Sequence, residues 1–187
     1  MAAVKGSVLQ AADNELQATV VFDAFCELCF ETEADIDLVE VAALRGGFER
    51  FDFKVPSRRD VIKLKRQAAF RNPGFFLTAD HSVAHERKTP IAAVNTASLL
   101  AKPVDFDAVR ALMVARFGEP NRHDLAGVGI SFASIAGSAD RSATYYDANA
   151  RHEAGEGDLV VINLNDIRTK VHVPSDAIAM NYTRWIR

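Results

Sequence analysis

The sequence predicts one α+β domain, with helices packed on one face of a mainly antiparallel sheet. Apolar residues recur at helical spacing in the first part of the chain. After Gly118, segments rich in β-branched and aromatic residues alternate with turn residues. Helices followed by antiparallel strands are typical of α+β domains. The chain of 187 residues is long enough to bury one substantial core.

The composition limits the kinds of partner and the cellular compartment that we expect. Apolar residues make up 49% of the chain and the net charge is -3, so no global field attracts nucleic acid or acidic membranes. No apolar run approaches the roughly 18 residues that a membrane helix needs. We therefore expect a soluble protein that does not contact membranes and is unlikely to bind nucleic acid. Its partner is unknown, and a homodimer or another protein is possible. The compartment is expected to be the cytoplasm of a bacterium, or the periplasm if an export signal has been removed.

The N-terminal third is expected to form two helices after a short tail. Residues 1–12 are interpreted as a disordered tail or a cloning remnant, and residues 13–187 as the domain. Residues 14–41 contain neither Gly nor Pro, which favours helix. Within them, polar residues at 32–35 are expected to divide two helices, and Gly46-Gly47 is expected to end the second.

The middle of the chain mixes strands and helices. A strand is predicted within residues 48–55, and a third helix within residues 57–70, where Ser57 is a plausible N-cap. Residues 74–86 are interpreted as strand, turn and strand, with the turn near Asp80-His81, and residues 90–94 as a further strand.

The clearest element is a helix over residues 105–117. Asp105 is its expected N-cap and Gly118 its end, and it is expected to dock on the same sheet face as the N-terminal helices. The acidic residues between 147 and 158 are interpreted as a solvated hairpin loop. Five later segments are predicted to be strands: 127–135, 142–148, 158–166, 169–173 and 177–186.

Cys26 and Cys29, in "VVFDAFCELCF", carry the main question about chemistry. If the segment begins a helix after a strand, the helix N-terminus would activate the first thiol for disulfide exchange. If the segment is helical throughout, both sulfurs fall on or beside the apolar stripe of Val21 and Phe25, where cysteine packs as a small hydrophobe. Glu27 and other nearby carboxylates disfavour thiolate. We favour packing.

Two resemblances bear on these residues. The C-x-x-C preceded by Asp23 resembles the DCC family of thiol-disulfide oxidoreductases, which implies that Cys26 attacks and Cys29 resolves. That family has glycine where this chain has Ala24. The order of "F-x-x-x-C", "T-x-A-D", "ALRGGF", "IAAVNT" and "VDFDAVRALMVARFG" resembles an uncharacterised family of small proteobacterial α+β proteins without established activity. There a second cysteine lies in the "AAVN" region, where this chain has only alanines.

A basic segment is the other candidate site. Arg58, Arg59, Lys63 and Arg66 are interpreted as a phosphate or nucleic-acid contact on a helix, or as partners of the acidic residues 13–40. His81 and His85 are four apart, but in a hairpin they are expected to be surface residues. We expect neither a metal site nor a cofactor. The sequence therefore favours a non-catalytic binding or interaction domain, with a thiol-disulfide oxidoreductase through Cys26 and Cys29 as the alternative.

Overall fold

The structure, a computed structural model, describes residues 17–53, 62–101, 104–123, 129–136, 144–166 and 177–187. It confirms the α+β class. The helices are α1 (residues 17–30, ending in the π-helical turn Cys26–Phe30), α2 (Ile36–Arg45), α3 (Phe106–Phe117) and α4 (Tyr145–Glu153). The strands are β1 (Glu49–Arg50), β2 (Ile62–Asn72), β3 (Phe75–Glu86), β4 (Thr89–Ala101), β5 (Arg122–His123), β6 (Gly129–Ile135), β7 (Leu159–Asp166) and β8 (Ile178–Ile186).

The strands form one antiparallel sheet in the order β1-β2-β3-β4-β8-β7-β6-β5. The long hairpins β2–β3 and β3–β4 build one half, and β8 joins them to β7 and β6. Because β8 lies between β4 and β7, the end of the chain occupies the centre of the sheet. No helix among the described residues is long and apolar enough to span a membrane.

The break between α1 and α2 lies where the sequence predicted it. The chain turns through left-handed backbone at Glu33 and Ala34, with φ of 52° and 55°. The Thr32 hydroxyl donates to the Leu28 carbonyl at 2.9 Å, which satisfies a carbonyl at the end of α1. Asp35 then caps α2 by accepting from the backbone N–H groups of its first turn.

Helix α3 is also confirmed, with its cap and its end. The Asp105 side chain accepts from the backbone N–H groups of Asp107 and Ala108, and Gly118 follows at φ 84°. Val109 and Met113 are fully buried. Helices α1, α2 and α3 thus pack on one face of the sheet and share a single core with it.

Helix α4 covers the opposite face at the β6–β7 end. A second, smaller core joins Ala148 of α4 to Ala133, Leu159 and Val161 of these strands. The strand predicted at residues 142–148 is therefore wrong. Thr144 and Asp147 form a capping box, each side chain accepting from the other's backbone N–H, and this local signal begins a helix instead. The loop interpretation of residues 147–158 fails for the same reason, because residues 147–153 are helical.

The predicted third helix is wrong as well. Residues 62–72 form β2, which pairs with β3 along almost its whole length. Helix propensity in "IKLKRQAAF" is overridden by this long-range pairing, which buries Ala68 and Phe70 in the core. Ser57 lies outside the described residues. The strand predicted within residues 48–55 is present only as the two residues of β1.

The turn expected near Asp80-His81 is absent, because β3 runs continuously through it. His81 Nδ1 lies 2.7 Å from Asn95 Oδ1, so the imidazole is hydrogen-bonded to the neighbouring strand β4. The hairpin turns instead at Arg87 and Lys88, which have φ of 46° and 77°. The strand predicted at 90–94 lies within β4, and those at 158–166 and 177–186 correspond to β7 and β8. The strand predicted at 169–173 falls outside the described residues.

Candidate functional site

The two cysteines lie in the last turn of α1, not at the start of a helix. Cys29 is fully buried, and Cys26 is half-buried beside the core. Both thiols are free. Because a helix C-terminus carries partial negative charge, this position opposes thiolate rather than favouring it.

Burial governs the ionisation of both thiols. It raises the pKa of Cys26 to about 11, since the effect of burial outweighs the opposing charge of Arg116. Burial also raises the pKa of Cys29 far above its ordinary value. Disulfide exchange needs thiolate, and both surroundings disfavour it.

We expect Cys26 to react slowly with iodoacetamide in the native protein. With a pKa of about 11, roughly one thiol in a thousand is ionised at pH 8, so the rate should rise about tenfold per pH unit until the pH approaches 11. Cys29 should react only after unfolding. Mass spectrometry of the alkylated protein measures both rates. Fast alkylation of Cys26 that is already maximal near pH 7 would support the oxidoreductase alternative instead.

The structure describes only two of the four residues of the candidate basic site. Arg58 and Arg59 lie outside the described residues. Lys63 and Arg66 are on β2, a strand rather than a helix. Arg66 makes a two-pronged ion pair with Asp37 of α2, at 2.6 Å and 3.1 Å. This pairing places basic and acidic segments side by side, which is the second of the two interpretations given to the basic residues.

The histidines do not form a metal site with their neighbours. His81 is held by Asn95, and His85 Nδ1 lies 3.0 Å from the Val83 carbonyl. Within the part of the chain that the structure describes, no three His, Cys, Asp or Glu side chains converge.

An exposed apolar stripe runs along α2. Leu38, Val41 and Leu44, which are about half exposed, lie three residues apart on the outer side of the helix. An interaction domain is expected to expose a contiguous apolar patch, and the free face of the sheet is where we expected it; this stripe lies on a helix instead.

A cavity of about 240 Å³ lies between the C-terminal ends of α1 and α3 and the β6–β7–β8 part of the sheet. Its walls are mostly apolar. The last residue of each helix, Phe30 and Phe117, lines it. Four aromatic rings contact one another in a row. Their centroids are 5.9 Å apart for Tyr182 and Phe30, 5.1 Å for Phe30 and Phe117, and 5.7 Å for Phe117 and Phe132.

Tyr182 supplies a polar group to this wall. The residue is only 3% exposed, and its hydroxyl makes no hydrogen bond to another described residue. The described residues contain no sealed side-chain oxygen without a partner, so the hydroxyl is not sealed off, and Tyr182 is one of the residues that line the cavity. Burial, and then the charge of Asp158, raises the pKa of Tyr182 to about 12. The group is therefore a neutral phenol at physiological pH.

The charged residues in the described lining are both acidic. They are Glu33, in the turn after α1, and Glu119, just after α3. Arg184 lies nearby on β8, two residues beyond Tyr182, and its guanidinium is already paired with two carboxylates. Its guanidinium binds Glu33 and also Asp158, whose Oδ2 lies 2.7 Å from Nη2.

Sequence reasoning missed this cavity. Its aromatic residues lie in four separate segments, and each alone looks like an ordinary core residue. The available signal was the phenolic residue that follows Ile178 and Met180 on the buried face of β8, since a buried Tyr usually finds a partner for its hydroxyl. Ser134 also lines the cavity.

Comparison with known proteins leaves the chain without an assigned relative. No family model, no curated protein and no solved structure matches it. The two resemblances found in the sequence therefore stay predictions.

Proposed function

We propose that this protein is a non-catalytic binding protein for a small, largely apolar molecule that carries a hydrogen-bonding group. The observation that carries the proposal is the aromatic cavity with the unbonded hydroxyl of Tyr182 in its wall. Ligand sites are commonly concave and mostly apolar, with a few polar groups that fix orientation.

The size of the cavity supports a compact ligand. A dry cavity of roughly 150 Å³ accepts benzene. The volume of about 240 Å³ therefore suits a molecule with one or two rings. The apolar body would pack against Phe30, Phe117 and Phe132, while its polar group meets the Tyr182 hydroxyl.

Burial of the thiols supports this proposal over the oxidoreductase alternative. Cys26 and Cys29 are not among the described lining residues, and burial disfavours the thiolate form of both. The groups that the lining offers are aromatic faces and hydrogen-bonding atoms, which hold a ligand without reacting with it.

We expect 2-naphthol to bind with a Kd of roughly 0.1–1 mM, as measured by isothermal titration calorimetry. Tyr182→Phe keeps the ring and removes the hydroxyl, so it should weaken binding by about two- to tenfold. Tyr146→Phe is the matched control, because Tyr146 is 79% exposed on α4 and should leave the Kd unchanged.

A second variant tests occupancy of the cavity itself. Ser134→Phe places a ring in the cavity and should weaken 2-naphthol binding at least tenfold, with folding checked by circular dichroism. Binding by the wild type that neither variant alters would place the ligand elsewhere and contradict the proposal. Failure of the wild type to bind would contradict it as well.

A further inference from the structure

Resting on the proposed function, we infer that the cavity selects cations: its ligand is an amine or alkylated ammonium with an apolar body. Four features of the described lining favour positive charge: two helix ends, the carboxylate of Glu119, the faces of aromatic rings, and one acceptor oxygen.

Two helices end at this cavity. Phe30 is the last residue of α1 and Phe117 the last residue of α3, and both line it. The C-terminal end of a helix carries roughly half a negative charge, so it favours a cation within about one turn. Both helices present this end to the same space.

The carboxylate of Glu119 adds to this field. It lines the cavity and no ion pair joins it to another described residue, whereas Glu33, the other acidic lining residue, is paired with Arg184. Arg184 is bound by Glu33 and Asp158, so its charge is already matched by two carboxylates and an anionic ligand would gain little from it. Arg116, in the last turn of α3, opposes the field, but it is not among the described lining residues.

The interior offers contacts for an ammonium group. Aromatic faces attract cations. The Arg116 guanidinium already lies over the Phe30 ring, 5.8 Å from its centroid, and the other lining rings are those of Phe117, Phe132 and Tyr182. The neutral Tyr182 hydroxyl can accept a hydrogen bond from an ammonium N–H. A ligand of this class would place its apolar body between the aromatic rings and its ammonium group between the C-terminal ends of the two helices.

The test compares three probes with the same ring system: cationic 2-(aminomethyl)naphthalene, neutral 2-naphthol and anionic 2-naphthoate, at pH 7.5 and low salt. We expect the amine to bind at least fivefold more tightly than 2-naphthol, and 2-naphthoate to bind most weakly. The advantage of the amine should shrink as salt is added, because screening weakens its attraction to the exposed Glu119.

Glu119→Gln should reduce the preference for the amine about threefold without changing the Kd of 2-naphthol. Glu86→Gln is the control, because it removes an exposed carboxylate at the end of β3, outside the described lining. Equal binding of amine and naphthol, or tighter binding of the naphthoate, would overturn the inference and leave the proposed function standing. Absence of binding by all three probes would overturn both.

Discussion

Phe25→Ala is expected to lower the free energy of unfolding by about 3–5 kcal/mol, the largest effect that we predict for this chain. Phe25 is fully buried in α1, within the core that α1, α2 and α3 share with the sheet. Truncation removes the transfer free energy of the ring and leaves a cavity that surrounding residues fill only in part. Urea denaturation followed by circular dichroism measures the change.

Phe53→Ala is the matched control for this loss. Phe53 is 39% exposed and packs edge to face against Phe76, at a centroid distance of 5.2 Å. Its truncation should cost about 1 kcal/mol, because the ring is already partly in water. Equal losses from the two variants would show that α1 does not pack against the sheet as described.

Gly157→Ala should destabilise the protein by about 2–4 kcal/mol, through strain and overpacking together. Gly157 has a φ of 150°, a region that residues with a Cβ rarely adopt, and an added Cβ would lie only 2.8 Å from Ile135 Cγ2. Cγ2 is bonded directly to the Cβ of Ile135, at the end of β6, so this methyl group moves only if χ1 or the backbone of the strand changes. The fall in midpoint temperature on thermal unfolding measures the loss.

Gly155→Ala separates the two contributions to this loss. Gly155 also has a positive φ, 82°, but an added Cβ there meets no atom within 4 Å. Gly155→Ala should therefore lower the free energy of unfolding by only about 1 kcal/mol, because a residue with a Cβ is strained in left-handed backbone. If Gly155→Ala destabilises as much as Gly157→Ala, then the contact with Ile135 contributes nothing.

Local signals predicted α1, α2, α3 and the strands β7 and β8, but they did not predict β2 or α4. Asp105 and Gly118 mark the ends of α3, and the polar residues 32–35 mark the break after α1, because capping and breaking act within a few residues. The strand β2 could not be recognised from its own composition, since it is fixed by pairing with β3. The reverse error occurred at residues 144–148, where two tyrosines suggested a strand and the Thr144–Asp147 capping box produced a helix.

The candidate site was harder to predict for a related reason. Cys26 and Cys29 stand out by spacing, and the packing interpretation rested on the helical repeat that α1 in fact follows up to its π-helical turn. The cavity has no such spacing. It is formed where two helices end above three strands, and residues as distant as Phe30 and Tyr182 meet there only after the sheet has assembled.

The position of β7 has a consequence for how this sequence can vary. The strand is paired on both sides, by β6 and β8, and it packs against α1–α3 on one face and α4 on the other. Every residue of "LVVI" therefore has a neighbour to fit, which is why the run is continuously apolar and shows no alternation. Evolutionary drift should be slowest along this strand and fastest along the outward side of β2, where a changed side chain meets water.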